Sequence, residues 1–275
     1  MIEAKIVADS TAPSGVRLTT FVLTYPRFIH AEFMTHRVFS RNASSSRATP
    51  VKKQIQMIID NPAIPMAFTK NKAGMQGGEA LSGEDHKAAV EAWLEARDEA
   101  VKWANALASL EVHKQYANRL LEPFAHITVV CTATDYTNFF ALRNHEAAQP
   151  EIHELARQMY ECYDSNHPEP KGMGQMHLPF VTESERQNAI GYQELIKMSV
   201  ARCARVSYLT HEGKQPSLEE DVKLYDRLVG SAPIHASPAE HQGIASFDPH
   251  LKSGNFRGWV QYRQTLKDQN ITKYP

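Results

Sequence analysis

Alternating apolar and polar residues mark the strands that the sequence predicts. Apolar positions alternate with polar ones over residues 2–8, and residues 16–25 are rich in β-branched and aromatic side chains up to Pro26. Residues 127–134 are equally β-branched, and residues 244–247 form a shorter apolar run. Four strands are therefore expected, two of them adjacent at the start of the chain.

Helical spacing of apolar residues accounts for most of the remaining chain. The helices that it predicts are 28–38, 51–59, 85–110, 111–121, 135–143, 150–163, 184–207, 217–229 and 256–266. Stretches rich in Pro, Gly or Ser predict loops at 40–49, 60–85, 164–182 and 231–241. Because strands and helices are segregated along the chain, an α+β fold is favoured over repeated βαβ units.

The composition narrows the class of protein. Of 275 residues, 42% are hydrophobic, which is enough to build a core and excludes a disordered chain. Lys and Arg number 30 against 31 Asp and Glu, which gives a net charge of −1. A general nucleic-acid binder carries a positive field, so nucleic acid is not expected as a partner.

The first residues and the cysteines favour a cytoplasmic protein. Charges at Glu3, Lys5 and Asp9 interrupt the N-terminal segment, which lacks the apolar run of a targeting signal. No stretch approaches the roughly 18 apolar residues that span a bilayer, so no membrane association is expected. The three cysteines, odd in number and far apart, favour a reducing compartment over a disulfide framework.

Residues 35–47 hold the densest group of side chains that bind anions. They comprise His36, three arginines and four serines within thirteen residues, at a predicted helix end and loop. Guanidinium groups grip phosphate or carboxylate through paired hydrogen bonds, and hydroxyl groups complete such a cradle. A solvated loop with cations at a helix C-terminus explains the same composition, so the residues alone leave both interpretations open.

A second cluster lies on the predicted helix 135–143. Asn138 and Arg143 are five residues apart, which places them about 140° apart around a helix axis. They either flank one site or face different groups. Taken alone, the segment is typical of an amphipathic helix with a surface arginine.

A third cluster combines residues 204–207 with residues 235–241, in which two histidines enclose Glu240. Their spacing matches no zinc pattern, and Pro238 interrupts the helix that would align such ligands, so no metal site is predicted. The structural alternative is a helix start at which Ser237 caps the first turn and Glu240 follows three residues later.

Taken together, these clusters resemble the flavin-dependent thymidylate synthases. His36-Arg37, seven further residues, Ser45 and then Arg47 are similar to the family's Arg-His-Arg signature, with Thr35 in place of the first Arg. Other segments resemble the family's Asn-Phe-x-x-x-Arg helix, the Ala-Gln-x-Glu-Ile step after it and the Arg-x-x-x-Pro step before it. They are residues 138–143, 148–152 and 119–123.

The order of the family's segments differs in this chain. Residues 204–207 and 235–241 resemble elements that precede the signature in the family, but here they follow it. The resemblance thus implies a circularly permuted form of the fold of the thymidylate synthase complementing proteins, with a mixed or antiparallel sheet and long helices. Chain ends that lie close in space tolerate such a rearrangement.

We expect a single domain over residues 1–275. Its first part, 1–163, holds the signature motif and the substrate arginines, and an irregular excursion follows at 164–183. The permuted flavin-binding part spans 184–275. A compact permuted version of the family suggests a phage or another mobile genome as the source.

The resemblance also implies roles for individual residues. Arg143 is implied to be catalytic, as the group that polarises the uracil ring. The residues implied to bind the deoxyuridylate are Ser45, Ser46, Arg47, Arg119 and Arg143. Those implied to contact the flavin nucleotide are His36, Arg37, Asn138, Ser207, His235, Ser237 and Glu240.

The implied reaction moves a methylene group from methylenetetrahydrofolate to C5 of dUMP and gives dTMP. FAD carries the redox chemistry and is reduced by NADPH, while the protein orients and polarises the reactants. A homotetramer with shared active sites is implied as well. No cysteine nucleophile is needed, and the three cysteines lie outside every motif.

Several positions depart from the family pattern. Thr35 replaces an Arg, Ala43 replaces a common Glu, and Glu32 replaces a substrate-binding Gln. Gln261 and Arg263, on a predicted helix, are candidates for the missing groups. Two alternatives stay open: a flavin- and folate-dependent enzyme with a different chemistry, such as hydroxymethylation or a dCMP substrate, and a non-catalytic nucleotide- or RNA-binding protein.

Overall fold

Strands from both halves of the chain build the sheets. The computed structural model describes residues 1–188, 191–206, 213–231, 233–267 and 269. The strands in these ranges are β1 (Glu3–Thr11), β2 (Arg17–Pro26), β3 (Ser40–Ala43), β4 (His126–Ala133), β5 (Glu169–Pro170), β6 (Met176–His177), β7 (Gly243–Ala245), β8 (Lys252–Ser253), β9 (Phe256–Arg257) and β10 (Trp259–Gln261).

Helices of very different length connect the strands. The α-helices in the described ranges are α1 (His30–Met34), α2 (Val51–Asp60), α3 (Gly83–Ser109), α4 (Lys114–Ala117), α5 (Thr137–Arg143), α6 (Pro150–Ser165), α7 (Glu183–Gln187), α8 (Tyr192–Arg205) and α9 (Leu218–Val229). Short 3-10 helices occur at Arg27–Ile29, Asn118–Phe124, Ser237–Glu240 and Tyr262–Thr265. Within the described part of the chain, no helix has both the length and the apolar character needed to cross a membrane.

The main sheet has the strand order β3–β4–β2–β1–β5. Its central strand β2 pairs antiparallel with β1 on one side and β4 on the other, so that Phe21 lies opposite both Ile6 and Cys131. β3 pairs antiparallel with β4, whereas β5 pairs parallel with β1. The predicted α+β class with a mixed sheet is therefore confirmed, while the predicted circular permutation stays a prediction.

Side chains of the central strands enter a core on each face of the sheet. Phe21 of β2 points into one core, which α5 and α6 close with residues such as Phe139 and Leu155. On the other face, Val130 of β4 packs against Cys203 of α8. Helices thus cover both faces, which explains why β2 and β4 are apolar or β-branched at nearly every position.

The late part of the chain packs against strands from its beginning. In the second sheet, ordered β10–β7–β6, Trp259 is fully buried and its Nε1 donates to the backbone just before β2 at 3.0 Å. Gly243 of β7 approaches Leu18 so closely that a Cβ there would lie 2.5 Å from the Leu18 Cδ2 atom, so any other residue would have to displace this buried side chain. Gln261 Nε2 donates to Ser40 Oγ of β3 at 3.1 Å.

A chain of five buried polar side chains links the two sheets. His177 contacts Ser10 Oγ through Nδ1 at 3.0 Å and Thr20 Oγ1 through Nε2 at 2.8 Å. Thr132 Oγ1 continues the chain, 2.8 Å from Thr20 Oγ1 and 2.8 Å from His241 Nδ1. Burial lowers the pKa of His177 well below its usual range and that of His241 to about 3, so both rings are neutral at pH 7.

Two predicted elements are wrong because tertiary contacts override the local pattern. Residues 40–43, expected to be a loop, form the edge strand β3, where pairing with β4 satisfies their backbone groups. Residues 256–266, expected to be a helix, form β9, β10 and the 3-10 helix Tyr262–Thr265. Gly254 and Gly258 both adopt positive φ here, which bends the backbone into tight turns.

Two other predicted helices are divided. The helix expected at 184–207 is split into α7 and α8, and Gly191 serves as the N-cap of α8. The residue that caps the C-terminus of α8, Val206, has a φ of 61°, a left-handed conformation that strains a β-branched residue. The helix expected at 111–121 is α4 followed by the 3-10 helix Asn118–Phe124, which contains Pro123.

The two neutral histidines of the buried chain predict stability that is sensitive to acid. The folded state keeps His177 and His241 uncharged, whereas in the unfolded chain they bind protons below a pKa of about 6.5. The free energy of unfolding should therefore fall as the pH drops below about 6.5, by about 1.4 kcal/mol per pH unit for each histidine. Urea unfolding at a series of pH values measures this slope.

The matched variant for this prediction is His241→Gln, which removes one titrating ring and keeps a polar side chain. Its pH slope should be smaller than that of the wild type by the equivalent of one proton. An identical slope in both proteins would contradict the assignment of a neutral, buried His241.

Candidate functional site

A small cavity, called here the His36 cavity, lies between helix α5 and the loop after α1. Its volume is about 230 Å³. His36, Arg37, Asn138 and Arg143 all line it. The remaining lining residues are Thr35, Val38, Phe39, Asp135, Phe139 and Leu142. The structure thus gathers four of the predicted residues, and Asn138 and Arg143 line the same cavity.

An aromatic cluster fixes the position of His36. Phe33, Phe39 and Phe139 are buried in the core above the sheet. The His36 ring lies edge-on to Phe139, with 4.9 Å between ring centres, and stacks on Phe39 at 5.8 Å. Close packing leaves the His36 ring little rotamer freedom. The ring, and with it the backbone that leads into Arg37, is therefore held in a defined position.

Arg143 and His36 interact directly in this cavity. Arg143 Nε donates to His36 Nε2 at 3.1 Å. A guanidinium can only donate, so neutral His36 accepts at Nε2 and carries its proton on Nδ1. Burial, and then the charges of Arg143 and Arg41, lower the pKa of His36. The cavity therefore combines a neutral imidazole with guanidinium groups, a donor set that suits an anionic ligand.

Two of the predicted substrate-binding residues, Ser46 and Arg119, lie elsewhere and contact Glu122. Ser46 Oγ donates to Glu122 Oε1 at 2.7 Å. Arg119 Nη1 donates to both carboxylate oxygens, at 2.9 and 3.1 Å, and Arg27 Nη2 lies 3.0 Å from Oε1. Sequence reasoning missed Glu122 and Arg27, although the spacing of Arg119 and Glu122 is typical of a helical ion pair.

A larger cavity of about 470 Å³, called here the Ser45 cavity, opens beside Glu122. Its lining residues are Met1, Thr24, Arg27, Ser44, Ser45, Ser46, Thr49, Gln54, Met57, Ile58, Asp60, Asn61, Glu122, Ala125, His126 and Thr128. Among the described residues, it shares no lining residue with the His36 cavity. One copy of the chain therefore does not place Arg143 and the serines in the same cavity.

The turn after β3, residues 44–49, is called here the serine turn and is held by the buried side-chain amide of Asn118. Asn118 is fully buried, and its Nδ2 donates to the carbonyl oxygens of Ser46 and Thr49 at 2.7 and 2.9 Å. Ser45 and Arg47 are exposed on this turn. The structure thus places the predicted substrate residues Ser45, Ser46 and Arg47 together, with Arg119 joined to them through Glu122.

The candidates from the late segment lie near β3. Glu240 forms an ion pair with Arg263, and its carbonyl oxygen accepts from Gln261 Nε2 at 3.1 Å. Ser237 follows the N-cap Ala236 and makes no side-chain cap, so the helix-capping alternative for this motif is wrong.

His235 is exposed, and its backbone N–H donates to the Leu228 carbonyl oxygen at 2.8 Å. Of the four late candidates, His235, Ser237 and Glu240 are described, and these three do not line the His36 cavity. The fourth, Ser207, lies outside the described residues.

Two further observations concern the cysteines and metal binding. The three cysteines, all within the described residues, are free of disulfides. Burial raises the pKa of Cys131 to about 12 and also raises that of Cys203, which makes both thiols poor nucleophiles. Across the ranges that the structure describes, no group of His, Cys, Asp and Glu side chains is suited to hold a metal ion.

The structure is that of an α+β protein in which arginine side chains line both cavities. A family model described as thymidylate synthase complementing protein matches residues 15–169, which include both the signature segment and α5. The chain therefore belongs to this family, that of the flavin-dependent thymidylate synthases. It is thus of the class of nucleotide-modifying enzymes. A comparison with curated proteins finds no match.

Two solved structures of the UMP/dUMP methylase PolB from Streptomyces cacaoi are similar to this chain. The complex with 5-Br UMP has a TM-score of 0.50 and 19% identity, over 59% of this chain and 88% of that one. The complex with 5-Br dUMP has a TM-score of 0.49 and 18% identity, over 59% and 90%. At this level of identity, the likeness shows the fold alone.

The positive charge of Arg143 beside His36 predicts that the pKa of His36 depends on residue 143. Arg143→Ala removes a positive charge that opposes protonation of the ring, so the pKa of His36 should rise. Arg37→Ala removes a neighbouring guanidinium that, unlike that of Arg143, makes no hydrogen bond to the ring among the described residues, so it should raise the pKa less. Histidine titration by NMR measures both, and equal shifts in the two variants would contradict this geometry.

Proposed function

We propose that this protein is a flavin-dependent thymidylate synthase that moves a methylene group from methylenetetrahydrofolate to C5 of dUMP and produces dTMP. The observation that supports it most is the family match over residues 15–169, within which His36, Arg37, Asn138 and Arg143 line one cationic cavity. FAD would be the resident cofactor, with NADPH as its reductant.

Residues of the serine turn and of α5 would divide the substrate between them. Arg47, Arg119, Ser45 and Ser46 offer the guanidinium and hydroxyl donors that a phosphate dianion requires. Arg143 would polarise the pyrimidine ring, since its guanidinium can stabilise negative charge that develops on a ring oxygen. The PolB complexes with brominated UMP and dUMP fit a pyrimidine nucleotide as ligand.

The His36 cavity fits part of a flavin nucleotide. His36, Arg37 and Asn138 provide cationic and hydrogen-bonding groups suited to a pyrophosphate, and Ser207, His235, Ser237 and Glu240 remain the proposed contacts from the late segment. When bound, the reduced flavin supplies the hydride for the final reduction. A volume of about 230 Å³ lies below the range usual for a ligand of this size, so other walls must complete the site.

A homotetramer with shared active sites would supply those walls. The Ser45 cavity and the His36 cavity share no lining residue in the described chain, although the reaction requires the phosphate and the ring of one nucleotide to be held together. Residues from two copies of the chain can meet at such a site, as symmetric assemblies allow. We infer that Arg143 of one copy works with Arg119 and the serines of another.

A specific observation favours a second candidate, a related enzyme with a different pyrimidine substrate. Glu32 stands where the resemblance implies a substrate-binding Gln, and its Oε2 atom is buried without a hydrogen-bond partner among the described residues. A carboxylate accepts hydrogen bonds, whereas a Gln amide also donates. This exchange would suit a ligand with an additional amino donor, such as dCMP.

The experiment that separates these candidates is a product analysis. The purified protein is incubated with FAD, NADPH and methylenetetrahydrofolate, and with either dUMP or dCMP, and the nucleotide mass is then measured. A methyl gain on dUMP supports thymidylate synthesis, and a gain on dCMP or a hydroxymethyl gain supports the second candidate. Protein that neither retains nor acquires FAD and changes no nucleotide would overturn both.

Arg143→Ala should abolish turnover while flavin absorbance is largely retained. The reason is that the guanidinium would stabilise charge on the reacting ring, and loss of such a donor costs about a hundredfold or more in rate. Turnover assays and the visible spectrum of the purified variant measure the two effects. Turnover close to that of the wild type would show that the assignment of α5 to the reacting ring is wrong.

The shared site predicts complementation between two inactive variants. Arg143→Ala and Arg119→Ala should each be inactive alone, because each lacks one half of every site. After the two proteins are mixed under conditions that exchange subunits, about a quarter of the sites would combine both intact halves and regain activity. Activity that stays at the level of the separate variants would contradict a site shared between copies.

A further inference from the structure

We propose that Glu122 is a resident carboxylate that occupies the phosphate subsite, and that a nucleotide's phosphate binds by displacing it. The subsite is formed by Arg27, Arg119 and Ser46. This inference rests on the proposed function and adds two residues to it: Arg27 as a phosphate ligand, and Glu122 as the residue that sets affinity and selectivity at this position.

Three donors converge on a single oxygen of Glu122. Ser46 Oγ, Arg119 Nη1 and Arg27 Nη2 lie 2.7, 2.9 and 3.0 Å from Oε1. Among the described residues, Oε2 accepts from Arg119 alone, at 3.1 Å. A phosphate group has three terminal oxygens and can offer each donor its own acceptor. The donor set therefore suits a phosphate better than the carboxylate that it now holds.

The charges lead to the same conclusion. Two guanidiniums face one carboxylate, which leaves a positive charge unbalanced within the cluster. A phosphate dianion balances the two guanidiniums by itself. If the Glu122 carboxylate stayed, the two guanidiniums, the carboxylate and the dianion together would carry a net negative charge, so the carboxylate has to move away. Glu122 thus opposes weak or singly charged anions, and a dianion gains most from replacing it.

The carboxylate also has a route by which to leave. Glu122 and Arg27 together line both the Ser45 cavity and a neighbouring cavity of about 420 Å³ that reaches Arg119. The side chain of Glu122 is 21% exposed and that of Arg119 is 54% exposed, whereas that of Ser46 is held in the buried turn. The side chains of Glu122 and Arg119 can therefore rearrange while the Ser46 hydroxyl donor stays in place.

The test compares ligand binding to the full-length wild type and to Glu122→Gln, which keeps the shape of the side chain but removes its charge. The probes are dUMP, inorganic phosphate and deoxyuridine, which lacks the phosphate, and calorimetry measures each dissociation constant. Glu122→Gln should bind dUMP and inorganic phosphate about tenfold more tightly than the wild type does, and deoxyuridine with unchanged affinity.

The matched control is Glu161→Gln, which makes the same change of charge in another carboxylate paired with an arginine, on the exposed side of α6. It should bind all three probes as the wild type does. A role of Glu122 in folding alone would not tighten phosphate binding selectively, so this readout separates the proposal from a structural contact.

Unchanged or weaker binding of dUMP and phosphate by Glu122→Gln would overturn the proposal. If that variant does not fold, Arg27→Ala decides: about tenfold weaker dUMP binding with unchanged deoxyuridine binding supports the subsite, and unchanged dUMP binding overturns it. A wild type that binds no pyrimidine nucleotide, beside a Glu122→Gln variant that binds phosphate tightly, would support displacement and overturn the proposed function instead.

Discussion

The antiparallel pairing of β3 with β4 positions the two segments that form the His36 cavity. α1 and the His36 loop follow β2, whereas α5 with Asn138 and Arg143 follows β4. Because β2 and β4 are antiparallel, the chain leaves β2 beside the start of β4 and returns to the other end of the sheet before β3 begins, where Ser40 lies opposite Thr132 near the end of β4. The loop with His36 therefore lies beside α5. β3 then runs back along β4 to Ala43, opposite Val129, and leads into the serine turn. A slip of one residue would exchange the two faces of the strands and separate His36 from Arg143.

The main elements could be predicted because their signals are local. β-Branched runs predicted β2 and β4, and helical periodicity predicted α2, α3, α5, α6 and α9 within a few residues. β3 could not be predicted in this way, since a polar segment becomes a strand only through its partner β4 and the side chain of Gln261. The glycines that break the helix expected at 256–266 act through their φ angles, which periodicity does not record.

The candidate site shows the same division between local and distant information. The resemblance identified the signature segment and α5, and the structure adds the contact that joins them, between Arg143 and His36. Spacing on a helix could not decide whether Asn138 and Arg143 flank one site, because the answer depends on where the loop after α1 lies. Arg27 and Glu122 were missed for a similar reason: Arg27 is 95 residues from Glu122 in sequence and meets it only in the fold.

Arg143 and the pair Arg119 and Arg27 differ in the interaction that a ligand must replace. Arg143 is held by a neutral imidazole, and the loss of one such hydrogen bond costs about 1 kcal/mol. Arg119 and Arg27 are held by a carboxylate, so a ligand there must replace charge with charge. Binding at Arg143 therefore requires correct shape more than high charge, whereas the Glu122 cluster selects for a dianion. Such a division suits a nucleotide, whose ring is read by geometry and whose phosphate is recognised by charge.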